Sequence, residues 1–207
     1  MEERARELSL SPPDRWGLFL VGLSLFLFLS YPWMEKELFP GERERRMREL
    51  GASLARHPDD LSLRRELGAL LLEEGRVRQA VDVLSGAKIR DPRDAASLHL
   101  LGLGLWRLGR KAEAESHLRR AVEADPGSGL FRYSLGLLLL ERGRPGEAAR
   151  VLEEGERLSS SPELSRALAR AYEALGERGK AREALARAAE REGELRKESL
   201  RGRTVVH

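Results

Sequence analysis

The feature that most constrains this chain is a pattern of small and large apolar residues that returns every 34 residues after Leu61. Four kinds of position keep this interval. They are Gly68, Gly102 and Gly136; Gly75, Gly109 and Gly143; Ala80, Ala114 and Ala148; and Leu84, Leu118 and Leu152. Such a period is typical of arrays in which each helix pair buries its apolar face against a similar neighbour. The sequence therefore predicts an all-α solenoid of helix pairs, which is a fold used as a binding scaffold.

The period divides the chain after residue 60 into four repeats. They cover residues 61–94, 95–128, 129–161 and 162–195, and the last follows a one-residue deletion in the serine-rich turn at 159–161. Before them, residues 35–60 contain a short connector and one helix with Met47, Leu50 and Leu54 at helical spacing. This helix is expected to cap the array. Residues 196–207 form a basic tail that lacks periodic apolar residues.

The second repeat shows most fully which family the pattern resembles. Its characteristic residues are Leu98, Leu101, Gly102, Leu105, Gly109, Ala114, Leu118, Ala121 and Pro126. This arrangement resembles the tetratricopeptide repeat, in which a Leu-Gly pair, a small Ala and a final Pro recur over 34 residues. The third repeat departs from it, with Gly155 and Ser160 where Ala and Pro are usual. The resemblance covers about 135 residues, and related helix-pair solenoids are the alternative.

The resemblance implies a concave surface formed by the first helix of each pair. The positions that would face it and bind a partner are Arg65, His99, Leu103, Trp106, Arg107, Tyr133, Leu137, Leu140 and Arg166. The centre of this set is apolar and its rim carries arginines, which suits a helical or extended apolar segment with acidic flanks. The chain contains no asparagine, so it lacks part of the side-chain set with which some members grip a terminal carboxylate. Alternatively, some of these residues are core, or the tail covers them.

A membrane anchor is predicted before the repeats. Residues 16–34 carry no charge, and as a helix these 19 residues would rise about 28 Å, close to the thickness of the hydrocarbon layer. Trp16 lies at one end, and Tyr31 and Trp33 lie at the other, where aromatic rings favour the membrane interface. The alternatives are a buried core helix or a cleaved signal peptide, but residues 31–39 lack the small-residue pattern of a cleavage site.

Composition argues against several other classes of function. The net charge of +3 equals the net charge of the last 12 residues, and elsewhere acidic and basic residues alternate along the helices, so no nucleic acid is expected. There is no cysteine, and the four histidines are isolated from one another. No phosphate-binding loop or set of catalytic residues is recognisable. The chain is therefore expected not to be an enzyme and to need no cofactor or metal.

Two functions fit these features. The first is a membrane-anchored adaptor, such as an assembly or biogenesis factor for a membrane or exported protein complex. The second is a stoichiometric accessory subunit of a large membrane complex, for example an electron-transfer complex. Arg15 adjoins the predicted span, whereas the nearest basic residue after it is Lys36, so the short tail 1–15 is expected inside and the repeats outside the cytoplasm. The predicted location is the inner membrane, which the chain would cross once. The alternative orientation places the repeats on the cytoplasmic face of that membrane.

Overall fold

The computed structural model describes residues 41–86 and 94–203, with side chains through residue 199. Within these ranges the chain is all α-helical, and residues from Leu50 onward group into one compact unit. The predicted span at 16–34 and the last four residues of the basic tail lie outside the described residues. No helix in the described ranges is both long and apolar enough to cross a membrane.

Nine helices are present in the part of the chain that the structure describes. A single helix, α1 (Glu42–Arg56), precedes four antiparallel pairs. The first helices of the pairs are α2 (Leu61–Glu73), α4 (Ala95–Arg107), α6 (Gly129–Glu141) and α8 (Pro162–Ala174). The second helices are α3 (Val77–Ser85), α5 (Lys111–Ala124), α7 (Pro145–Leu158) and α9 (Arg178–Arg203). The four first helices begin at the residues that open the four sequence repeats.

Each first helix begins with a side-chain cap. The residues before them are Asp60, Asp94, Ser128 and Ser161, and each accepts hydrogen bonds from backbone N–H groups of the first turn. These groups have no partner within the helix, so the cap satisfies donors that would otherwise be left open.

The turn inside each pair depends on a glycine in the left-handed region. The φ angles of Gly75, Gly109, Gly143 and Gly176 are +73°, +79°, +70° and +77°. In the second pair, Gly109 N–H donates to Trp106 and Arg110 N–H donates to Leu105, which is the hydrogen-bond pattern of a Schellman cap. Side chains other than glycine are strained in this conformation, so the four glycines fix where each pair reverses direction.

Within the first three pairs, a leucine of the second helix lies directly over a glycine of the first. A Cβ atom built on Gly68, Gly102 or Gly136 would lie 2.6, 2.8 or 2.5 Å from Cγ of Leu84, Leu118 or Leu152. These distances are shorter than any normal carbon contact, so the two helices can approach this closely only because a side chain is missing. The glycine–leucine step in the sequence therefore sets the spacing inside these pairs.

First and second helices differ in the contacts that they make with the neighbouring pairs. Each second helix contacts the next first helix, and successive first helices also contact one another, as α2 does with α4, α4 with α6, and α6 with α8. The backbones of successive second helices do not approach one another closely in the described array, and only long side chains bridge them, as Arg119 of α5 does to Glu147 of α7. The first helices therefore form the tighter, inner side of the array. One core of mainly leucine and alanine runs from Val81 and Leu84 through the later pairs to Ala184.

Candidate protein-binding face

The inner side of the array presents an apolar stripe on its central helix. On α6, Leu130, Tyr133, Leu137 and Leu140 follow one another at helical spacing, so they share one face of the helix. Leu130 is exposed, whereas the other three are partly buried and pack against the core with one edge. Leu103 of the neighbouring helix α4 is also half-buried. The predicted apolar residues therefore keep accessible surface while the core holds them in place.

A pocket connects three successive first helices at this stripe. Its volume is about 410 Å³, and its lining consists of Trp106 from α4, Leu137, Leu140 and Glu141 from α6, and Arg170 and Ala174 from α8. Three of the predicted binding residues, Trp106, Leu137 and Leu140, thus come together around one concavity. An apolar side chain of a partner that entered it would contact all three helices at once.

The indole of Trp106 is fixed in orientation by a neighbour on the next first helix. Its Nε1–H donates a hydrogen bond to the Glu141 carboxylate, whose other oxygen lies 2.7 Å from Lys111 Nζ. Hydrogen bonds from Lys111 and Trp106 lower the pKa of the Glu141 carboxyl, so it remains ionised at neutral pH. An aromatic ring held in this way loses little conformational freedom on binding, which favours its use as an anchor.

The three predicted rim arginines all have partners within the chain. Arg65 Nη1 lies 3.4 Å from the Asp94 carboxylate, Arg107 Nη1 donates to the Leu72 carbonyl at 2.6 Å, and Arg166 pairs with Glu192. These side chains therefore connect neighbouring helices, and a partner would have to compete for them.

Arg170 is the cation that lines this pocket. Unlike Arg65, Arg107 and Arg166, it forms no ion pair or hydrogen bond with another described residue. Its position in the fourth repeat predicts that it faces the inner side of the array, but the sequence does not show whether its charge is paired. The unpaired charge makes this edge of the pocket suited to a carboxylate of the partner.

His99 lies in the core rather than on the accessible face. It is buried between α4 and α6, where its Nε2 is 2.8 Å from Ser134 Oγ and its ring centroid is 4.8 Å from that of Phe131. Burial lowers the pKa of the imidazole from 6.5 to about 4, so the ring is neutral at physiological pH. The sequence left open whether His99 faces the groove or lies in the core, and the structure places it in the core.

The lowered pKa of His99 predicts that the fold weakens on mild acidification. In the unfolded chain the imidazole gains its proton near pH 6.5, whereas the folded chain resists protonation until about pH 4. Stability is therefore greatest above pH 6.5 and is lost as the pH falls, by about 2 kcal/mol between pH 7 and pH 5. Thermal melts of the full chain in mild detergent, followed by circular dichroism at each pH, measure this loss.

A non-titrating variant isolates the contribution of His99. His99→Gln keeps a hydrogen-bonding side chain beside Ser134, and we expect its melting temperature to fall less between pH 7 and pH 5 than that of the native chain. His57 is exposed, so His57→Gln is the matched control and keeps the native pH dependence. An unchanged pH dependence in His99→Gln would show that other groups cause it.

Two carboxylates, the buried Glu115 and the partly buried Glu156, are the centres of charge networks that the sequence did not reveal. Glu115 of α5 is buried and forms ion pairs with Arg119, Arg142 and Arg144. The last two belong to the turn between α6 and α7. Glu156 of α7 forms ion pairs with Arg187 and Arg191 of α9. In the sequence these carboxylates look like the others of the alternating helix faces. Both networks join neighbouring pairs, so they stabilise the array that carries the binding face.

The chemistry available on this face is that of binding. Within the described residues no group of three or more histidine, cysteine, aspartate or glutamate side chains could hold a metal ion. The face instead offers a rigid aromatic ring, leucine side chains and one unpaired guanidinium beside a concavity. Groups of this kind are suited to contacts with an apolar segment and a carboxylate.

Comparisons with known proteins agree with this architecture. The family model described as tetratricopeptide repeat matches residues 99–163. A crystal structure of MamA has a TM-score of 0.67 at 22% identity and covers 73% of this chain and 89% of its own. A second, titled MamA protein, has a TM-score of 0.65 at 21% identity and covers 84% and 93%. No curated protein sequence matches the chain.

A third solved structure is named as a repeat protein in its own title. TTC0263, a thermophilic TPR protein in Thermus thermophilus, has a TM-score of 0.60 at 23% identity, and the match covers 70% of this chain and 80% of that one. Identities this low show the fold alone. Together with the family match over residues 99–163, they support the prediction of tetratricopeptide repeats in an all-α solenoid.

Proposed function

We propose that this tetratricopeptide-repeat chain is a membrane-anchored adaptor that holds a segment of a partner protein on its first-helix face. The observation that carries the proposal is the pocket shared by α4, α6 and α8, where Trp106, Leu137 and Leu140 surround one concavity. A partner side chain placed there would be desolvated by three helices at once. Central, well-packed aromatic contacts of this kind usually supply most of the binding free energy.

The bound segment carries apolar residues and at least one carboxylate. The stripe on α6 would bury the apolar residues, and Arg170 would pair with the carboxylate at the edge of the pocket. Arg65, Arg107 and Arg166 contribute less than their charges suggest, because each already bonds within the chain. A helical or extended segment of a membrane or exported protein has the required mixture of residues.

The double variant Leu103→Arg with Leu137→Arg tests the face. Both side chains keep accessible surface, so arginine can direct its charge to solvent without unfolding the array. We expect the partners that co-purify with the tagged native chain from detergent-solubilised membranes to be absent with the double variant. The helical signal and melting temperature should remain close to native. Quantitative mass spectrometry of the two purifications measures the loss.

A matched control separates this result from a general effect of added charge. Leu158→Arg introduces the same residue at another exposed leucine, at the end of α7, and should leave co-purification unchanged. If partners remain with the double variant, then the first-helix face is not where they bind.

The anchor and the cellular location belong to the same proposal. Residues 16–34 would span the inner membrane once, with the tail inside and the repeats outside the cytoplasm, so that the face meets partners near the bilayer. The uncharged run and the position of Arg15 support this arrangement. A reporter that is active only outside the cytoplasm, fused after His207, tests the orientation, because its inactivity would place the repeats on the cytoplasmic side.

A further inference from the structure

Among the described residues, no helix covers the end of the array formed by α8 and α9, whereas each earlier pair is covered by the next. The leucine that faces the first helix of its own pair is 3% exposed at Leu84 and 0% at Leu118 and Leu152, but its counterpart Leu185 is 44% exposed. The position three residues earlier shows the same contrast. It is buried as Val81, Glu115 and Ala149, whereas Arg182 is exposed.

The covering element of each earlier pair is the first helix of the next one. A Cβ atom built on Gly104 of α4 would lie 2.7 Å from Val81 of the preceding second helix. In the same way α6 covers α5, and α8 covers α7. No further described helix follows α9, so its corresponding face has no cover within the described part of the chain.

The fourth pair also differs in the residue beneath its leucine. Gly68, Gly102 and Gly136 leave room for the leucine side chain, but the same position in α8 is Ala169. Ala169 is buried, and the leucine at the corresponding position of the second helix, Leu185, is exposed.

A pocket of about 490 Å³ lies at this end. Its lining residues are Glu173 of α8 and Arg178, Ala181, Arg182 and Leu185 of α9. The guanidinium of Arg178 has no carboxylate partner among the described residues. The pocket thus combines an exposed leucine with an unpaired positive charge, and none of its lining residues belongs to α6.

An ion pair inside the array indicates which kind of side chain would pair with Arg178. Arg178 is the second residue after the turn glycine of its pair, as Lys111 is after Gly109. Lys111 pairs at 2.7 Å with Glu141, the last residue of the next first helix. A helix that covered α9 in the same way would bring the carboxylate of its last turn to Arg178.

We propose that this end surface binds an amphipathic helix of a partner protein, in the place that the first helix of a fifth pair would take. The partner helix buries an apolar side chain against Leu185 and pairs a Glu or Asp of its last turn with Arg178. Terminal pairs of repeat arrays normally present a polar outer face to water, so a leucine that is 44% exposed at this position favours a contact surface. The proposal is independent of the first-helix face.

A peptide copied from α6 tests this surface, because α6 is the helix that covers α5. A fluorescent peptide of residues 128–144 should bind the full chain in mild detergent, measured by anisotropy. Leu185→Arg should weaken binding by about tenfold or more, whereas Leu137→Arg on the first-helix face and Leu158→Arg should not. The peptide with Glu141→Lys should bind the native chain about tenfold more weakly. The chain with Arg178→Glu should bind this variant peptide as tightly as the native chain binds the native peptide.

Three outcomes overturn the proposal. The first is that Leu137→Arg weakens the peptide as much as Leu185→Arg does, which would place it on the first-helix face. The second is that the chain with Arg178→Glu does not bind the Glu141→Lys peptide more tightly than the native peptide. The third is that sedimentation of the chain in detergent shows a dimer that Leu185→Arg dissociates, because a second copy would then be the occupant.

Discussion

Glu156→Ala should destabilise the array by about 3 kcal/mol, which is a large part of the stability of a typical domain. The carboxylate lies between α7, α8 and α9 and accepts hydrogen bonds from Arg187 at 3.1 and 3.2 Å and from Arg191 at 2.9 Å. Ser165, which is completely buried, also donates to it. Alanine would leave two partly buried guanidinium groups and a buried hydroxyl without this partner.

The pKa of Glu156 reflects the same environment. Burial raises the pKa of the carboxyl, but hydrogen bonds from Arg187 and Ser165 and the charges of Arg187 and Arg191 outweigh it, so the net pKa lies below 4.5. The stabilisation is present above the pKa of the unfolded chain and disappears as the pH falls through that of the folded chain. The effect of Glu156→Ala on melting should therefore be largest near neutral pH and shrink in strong acid.

Glu113→Ala is the matched control for this prediction. Glu113 also accepts two arginine hydrogen bonds, at 2.8 and 2.7 Å from Arg110, but both side chains are about half exposed. Solvent screens such pairs, so the melting temperature should change little. Circular dichroism melts of both variants at pH 7 make the comparison. Equal effects would mean that burial of the Glu156 network adds nothing.

The fold was predictable because its determinants are local and recur. The turn glycines at 75, 109, 143 and 176 are needed wherever each pair reverses, and the apolar steps repeat with them. Even the one-residue deletion before the fourth repeat agrees with a helix that begins at Pro162. A short period in sequence becomes a short contact in space, so the repeat pattern carries most of the architecture.

The binding face was predictable only in its apolar part. Leu137 and Leu140 reach the shared pocket because helical spacing fixes their direction. The charged rim was different, because whether an arginine is free depends on residues far away in the sequence. Arg107 bonds to a carbonyl 35 residues earlier, and His99 finds Ser134 at the same separation. No local pattern distinguishes these from Arg170.

The exposed end carries a signal in the sequence that is easily overlooked. Ala169 interrupts a glycine series that is otherwise unbroken, and a single added methyl group looks like a conservative change. Its meaning emerges only from the distance between the helices, because a Cβ at the earlier positions would meet leucine at 2.5 to 2.8 Å. The position therefore marks where the internal repeat contact ends.

Gly102→Leu should disrupt the second pair, with a loss of about 3 kcal/mol from overpacking. The first added carbon would meet Leu118 Cγ at 2.8 Å and Cδ2 at 2.9 Å, and Leu118 is completely buried, so it cannot move aside. The helices must separate, and the neighbouring pairs lose contacts with them. We expect a lower melting temperature in detergent by circular dichroism, with Gly102→Ala intermediate. Gly146→Leu, where a Cβ has no neighbour within 4 Å, should melt like the native chain. A native melting temperature for Gly102→Leu would show that the glycine–leucine contact does not set the helix spacing.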